Sequence, residues 1–125
     1  MKPERPYFLD LAAIRLPIGG MVSILHRASG AALALTIPCL LYTLMLSLRS
    51  PADFQRLAGW FGGFFGWALS LGVTWALLHH FLAGLRHLGF DLGLGEDKET
   101  ARKTAWASLL AAAAATAAIA LWRLA

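Results

Sequence analysis

The sequence predicts an all-α membrane protein with three transmembrane helices, and three observations carry that expectation. Hydrophobic residues make up 58% of the 125-residue chain and charged residues only 14%, where a soluble domain carries roughly a quarter charged residues. The mean hydropathy is +0.62. The apolar residues also fall in three long runs free of Asp, Glu, Lys and Arg, between Arg27 and Arg49, Arg56 and Arg86, and Lys103 and Arg123. A bilayer core about 30 Å thick needs roughly 20 apolar residues at helical rise. Each run is long enough.

The first span is expected over about 24–48, with Pro38 near its middle as a kink site. Ser50-Pro51-Ala52-Asp53 reads as a helix start, with Ser50 as the N-cap and Pro51 in the first turn. It predicts a short surface helix between the first two spans. The second span is expected over about 60–89, with Gly62, Gly63 and Gly66 at its start allowing close helix approach. A polar loop, Gly93 to Lys103, leads to a third, alanine-rich span over about 104–122. The chain reads as one transmembrane domain over 1–125, preceded by a short N-terminal segment.

No continuous apolar run suggests a cleavable signal in MKPERPYFLDLAAIRLP, which Pro3, Glu4, Pro6, Asp10 and Arg15 interrupt. Cys39 is the single cysteine and reads as a small apolar core residue. Lys2, Arg5, Arg15, Arg27, Arg86, Lys98, Arg102 and Lys103 gather on one side of the expected spans, against Arg49, Arg56 and Arg123 on the other. The positive-inside rule therefore predicts a cytoplasmic N-terminus and a periplasmic C-terminus. Trp60, Trp106 and Trp122 lie near span ends, as lipid-anchoring aromatics do. The net charge of +4 thus speaks for orientation at a lipid membrane and not for nucleic acid.

Polar groups within spans are costly and are candidates for function. One cluster is Ser23 to Gly30, where Ser23 and Arg27 share a helix face and His26 lies beside Ser23. A hydroxyl and a guanidinium there suit the carbonyl oxygen of a lipid-soluble ligand. Arg27 alone equally suits a positive-inside residue reaching the headgroups. The second cluster is His79 to Asp91, in which His80, Gly84 and His87 form one stripe. His80 lies about 13 Å from the helix end. That depth suits either a packed interhelical contact or an axial haem ligand. Gly84 would clear space for a flat macrocycle, and Arg86 and His87 would meet its propionates. His79 points about 100° away, toward a neighbouring helix. Zinc sites are disfavoured, since there is no cysteine pair and the adjacent histidines face different ways.

These residues carry a resemblance. Arg5-Pro6, L-D-L-x-x-I-R-x-P from Leu9 to Pro17, S-I-L-H-R-x-S-G from Ser23 to Gly30, and H-x-x-x-G-x-R-H-x-x-x-D from His80 to Asp91 resemble the cytochrome b membrane-anchor subunits of succinate dehydrogenase. The likeness covers nearly the whole chain, although the third helix contributes composition only. It implies a quinone-site pair at Ser23 and Arg27, a haem b axial ligand at His80, and propionate contacts at His26, Arg86 and His87. The second haem ligand would come from a second hydrophobic anchor subunit. Asp91 ends the motif without an assigned role. His79 is a departure, standing where an apolar or aromatic residue is expected, and the stripe with Gly84 favours His80 as the ligand.

The resemblance further implies a bacterial inner-membrane subunit of respiratory complex II, serving the tricarboxylic acid cycle. There it would dock an iron–sulfur subunit and a flavoprotein subunit and contribute to ubiquinone reduction. It would not be catalytic alone. The alternatives are an anchor of a fumarate reductase, or a small helical transporter or scaffold without cofactor. Against transport, none of the three runs contains an acidic residue.

Overall fold

The computed structural model describes residues 16–124. Arg5-Pro6 and the Leu9 to Arg15 part of the motif lie outside the described residues, as do Lys2, Arg5 and Arg15 of the orientation argument. Four helices follow in order: α1 (Ile18–Ser47), α2 (Pro51–Gly62), α3 (Phe64–Asp91) and α4 (Lys98–Leu124). No strand occurs among the described residues. Three of the helices, α1, α3 and Lys98–Arg123 of α4, are long and apolar enough to cross a membrane.

The helix α1 has 30 residues, which at helical rise is about 45 Å and exceeds the hydrocarbon core. It begins directly after Pro17, whose carbonyl accepts from the Gly20 and Met21 amides. It also continues through Pro38. Thr36 and Thr43 return their hydroxyl protons to the Ala32 and Leu40 carbonyls, so neither exposes an unpaired donor to lipid.

The expected cap of α2 is present. The Asp53 amide donates to Ser50 Oγ at 3.1 Å, Pro51 occupies the first turn, and the Ser50 hydroxyl donates to the Asp53 carboxylate at 2.9 Å. Trp60 belongs to this connecting helix, because the chain turns extended at Gly63 (φ −74°, ψ 167°) before α3 begins. Gly66 makes the turn compact. It is buried, and a Cβ there would lie 2.7 Å from the Phe61 Cα and within hard contact of the Trp60 backbone.

At the other end, α3 closes in a Schellman arrangement, with the Leu94 amide on the Gly89 carbonyl and the Gly93 amide on the Phe90 carbonyl. Gly93 takes the left-handed conformation this needs (φ 74°). Asp97 caps α4, accepting from the Thr100 amide at 2.9 Å. That bond holds the Asp97 carboxyl below the ordinary range. The cap is therefore at full strength above the unfolded carboxyl's range and is lost as the pH falls through the folded one.

The interior is made of small side chains. Val22, Ala83 and Ala105 are fully buried and join α1, α3 and α4, with Ile18 packed against them. Ala112 is buried as well. The large apolar side chains point outward, among them Leu35 (74% exposed), Phe65 (79%) and Trp122 (82%). Lipid or partner helices are the environment that such an exterior suits.

Gly66→Ala is expected to destabilise the α2–α3 junction by about 1–3 kcal/mol, since only backbone lies in its way. Gly62 meets nothing within 4 Å, so Gly62→Ala should change stability by no more than about 0.5 kcal/mol. Thermal midpoints of the two detergent-solubilised variants test the contrast, and equal midpoints would refute it.

Candidate functional site

Two neighbouring faces of α3 carry its histidines and Arg86, and they do different things. His80, Gly84 and His87 lie on one face, while His79, Ala83 and Arg86 lie on the next.

The first face meets α1 at His26. The imidazoles of His26 and His80 stack with centroids 4.2 Å apart and planes 9° from parallel, and His87 approaches His26 at 5.0 Å. Two glycines make this possible. A Cβ on Gly30 of α1 would stand 2.7 Å from His80 Cε1, and one on Gly84 of α3 would stand 3.3 Å from His26 Nε2. Each ring fills the space a glycine leaves on the opposite helix. The space expected at Gly84 for a macrocycle is therefore taken here by the His26 ring.

His80 Nδ1 lies 3.0 Å from the His26 carbonyl oxygen and 3.4 Å from Ser29 Oγ. Ser29 is buried, and its hydroxyl donates to the same His26 carbonyl at 2.9 Å. His80 Nε2 has no hydrogen-bond partner among the described residues and belongs to a half-buried side chain. One turn beyond this contact, a groove of about 350 Å³ runs between α1 and α3. Its lining is small and apolar and includes Ala32, Leu33, Gly72 and Ala76.

The second face is structural in its contacts. His79 is fully buried, stacks on Trp75 at 5.1 Å and 4°, and has no hydrogen-bond partner for either ring nitrogen among the described residues. Arg86 turns toward α4, donating from Nε to Thr104 Oγ1 at 3.2 Å and from Nη2 to the Ala101 carbonyl at 3.1 Å. Its guanidinium also sits over the Phe90 ring at 4.4 Å, a cation–π contact. The structure thus separates Arg86 from the histidine cluster with which the motif spacing grouped it.

Ser23 is half-buried and Arg27 is exposed, one turn apart on α1. Neither side chain is hydrogen-bonded or ion-paired within the described residues. Asp91 is exposed at the end of α3. An apolar groove of about 410 Å³ lies elsewhere, between α1, α2 and α3, and is lined by Thr36, Cys39, Thr43, Trp60 and Phe61 among others. It brings no histidine or charged group together. Ser29 and Gly30 are the functional candidates that motif reading passed over. Both lie inside the S-I-L-H-R-x-S-G stretch, where a small residue three and four places after a histidine was the available signal.

Comparison with known proteins places this geometry. A model of the family described as "Succinate dehydrogenase/Fumarate reductase transmembrane subunit" matches residues 1–119. The succinate dehydrogenase cytochrome b556 subunit of Paracoccus denitrificans is 36% identical over 104 residues, covering 83% of this chain and 80% of its own. The cytochrome b556 subunit of Coxiella burnetii is 34% identical over 108 residues, covering 85% and 86%. The cytochrome b560 subunit of Reclinomonas americana is 31% identical over 115 residues, covering 87% and 79%.

Arg86→Met is expected to cost about 1–3 kcal/mol by removing the two charge-assisted hydrogen bonds to α4. Thr104→Val should cost less, and the double variant should fall short of the sum because the two side chains share a bond. A double-mutant cycle on thermal stability measures this. Strict additivity would show that the Arg86–Thr104 contact carries no weight.

Proposed function

The chain belongs to the succinate dehydrogenase/fumarate reductase transmembrane subunit family, as an anchor of the cytochrome b kind, and from that premise we propose that it supplies one haem b ligand and part of a ubiquinone site. The observation that carries the reading is the cluster of His26, His80 and His87 between α1 and α3. Within it His80 alone has Nδ1 tied to a backbone carbonyl while Nε2 stays unpaired.

The residues fit the group. Imidazole is the usual nitrogen ligand for haem iron, and a ligating histidine commonly donates its other ring N–H to a carbonyl. The small-residue groove between α1 and α3 offers apolar walls beside that ligand. His26 and His87 would be the basic contacts of the haem propionates, while Arg86 is bonded to α4. The stacked arrangement puts the His26 ring against the face of His80, so these two rings are not disposed as the paired ligands of one iron. The second ligand then falls to a second hydrophobic anchor subunit. When bound, haem would supply a one-electron carrier within the membrane.

Ser23 and Arg27 form the quinone-facing pair. Reduction of a quinone builds negative charge on its carbonyl oxygens, and a fixed guanidinium stabilises that charge while a hydroxyl donates a hydrogen bond. Arg27 is exposed on α1. Electrons would arrive from iron–sulfur and flavoprotein subunits docked on the cytoplasmic side of the bacterial inner membrane, with the N-terminus on that side. The chain alone would catalyse nothing. The direction of the reaction, succinate oxidation or fumarate reduction, depends on the partners and the quinone.

Two outcomes test this reading. His80→Leu in the purified complex should abolish or shift the b-type absorption band of the dithionite-reduced minus oxidised spectrum, whereas an unaltered band would remove His80 from the iron. Arg27→Leu should lower succinate-driven quinone reduction by about 10²–10³-fold, as loss of one oxyanion donor does elsewhere, with the complex still assembled. Full activity in the assembled variant would exclude Arg27 from the site.

A further inference from the structure

The ring of His80 meets a backbone carbonyl that an α-helix ordinarily shields. In a helix, the carbonyl of residue i bonds the amide of i+4, and the Cβ of that later residue stands near it. Here residue i is His26 and residue i+4 is Gly30. With no Cβ at Gly30, the His80 imidazole comes within 3.0 Å of the His26 oxygen. Any other residue at 30 would put its Cβ 2.7 Å from Cε1 and 3.2 Å from Nδ1 of that ring.

The chemistry of the two neighbours of Nδ1 fixes where the ring proton sits. The His26 carbonyl only accepts. The Ser29 hydroxyl has one proton, and it is committed to the same carbonyl at 2.9 Å, so Oγ presents a lone pair to Nδ1 as well. Both groups facing Nδ1 require a donor there. A neutral imidazole that carries its proton on Nδ1 has its lone pair on Nε2.

We propose that Gly30 is a positioning residue that, by uncovering the His26 carbonyl, locks His80 in the Nδ1–H form with Nε2 free to ligate a metal. The proposal rests on the haem reading above for its purpose, though not for the tautomer itself. A hydrogen bond from the distal N–H of a ligating histidine also raises the donor strength of the ring and is worth 10- to 100-fold in metal affinity where it has been removed. Such bonding is one of the levers on haem potential. Ser29 favours the same tautomer but weakens the bond, since its hydroxyl shares the one carbonyl with His80.

The test uses the complex purified with its accompanying subunits and labelled with ¹⁵N-histidine, with the ring shifts read on haem-depleted complex, because an iron bond at Nε2 would itself dictate the Nδ1–H form. Three readouts are taken: the His80 ring nitrogen shifts, haem retention, and the haem midpoint potential. Gly30→Ala should weaken or lose the Nδ1–H signature, reduce haem retention by about 10- to 100-fold, and move the potential of the remaining haem upward. Ser29→Ala should keep the Nδ1–H form and move the potential downward or leave it in place. Wild-type values of all three readouts in Gly30→Ala overturn the proposal. So does a switch to the Nε2–H form in Ser29→Ala, which would make the hydroxyl the determinant. The second variant decides the matter if Gly30→Ala does not assemble. An unaltered haem spectrum in His80→Leu would instead defeat the haem reading, while the ¹⁵N shifts would still report the tautomer.

Discussion

The close approach of α1 and α3 at two reciprocal glycines is the constraint on which the rest of the site depends. Gly30 receives the His80 ring and Gly84 receives the His26 ring, so each helix supplies both a histidine and the space for the other's. This sets the separation of the helices, the register between residues 26–30 and 80–84, and the parallel stacking of the imidazoles at once. A methyl group at Gly30 would force the His80 ring aside, and one at Gly84 would make the His26 ring give by a few tenths of an ångström. The polar cluster and the packing of the bundle are therefore one feature, and the hydrogen bond to the His26 carbonyl follows from it.

The same economy of small side chains governs the whole fold. With lipid tails as apolar as leucine, large side chains gain little by turning inward, and close backbone approach becomes the main source of contact. Val22, Ala83, Ala105 and Ala112 occupy the interior while leucines, phenylalanines and tryptophans cover the outside. The alanine-rich α4 belongs to this scheme: its alanines let it lie against α3, where Thr104 and the Ala101 carbonyl hold Arg86. A guanidinium within a span needs such partners, and α4 provides them along with the Phe90 face. What remains outside is a large apolar surface, which suits a subunit surrounded by lipid and by a second anchor.

Much of this was legible in the sequence, because the signals were local. Uncharged runs marked the spans, Ser50-Pro51 marked the start of α2, and motif spacing placed His80, Gly84 and His87 on one stripe. The contacts between helices were not legible, since they depend on how far one helix slides and turns against another. Spacing alone put Arg86 with His87, yet the 100° step between neighbours on a helix carries Arg86 to the α4 side. It likewise suggested that Gly84 cleared room for a macrocycle, whereas the room receives His26. His26 looked like a residue at the mouth of a span and proves to be the stacking partner of His80. The break at Gly63, which assigns Trp60 to α2, turned on a single ψ angle that glycine composition does not specify.

The adjacent histidines show how such a register decides chemistry. His79 and His80 are identical residues one position apart, and the sequence separates them only by the company of Gly84. In the folded chain His79 is fully buried and stacked on Trp75, with neither ring nitrogen forming a well-aligned hydrogen bond among the described residues. An iron centre would have to open the bundle to reach it. His80 has the opposite balance: one nitrogen held by the backbone and the other uncommitted on a half-buried ring beside an apolar groove. The helical step of 100° places one imidazole among packed side chains and the next on a half-buried ring, and that difference in surroundings is the physical argument for proposing His80, and not His79, as the ligand.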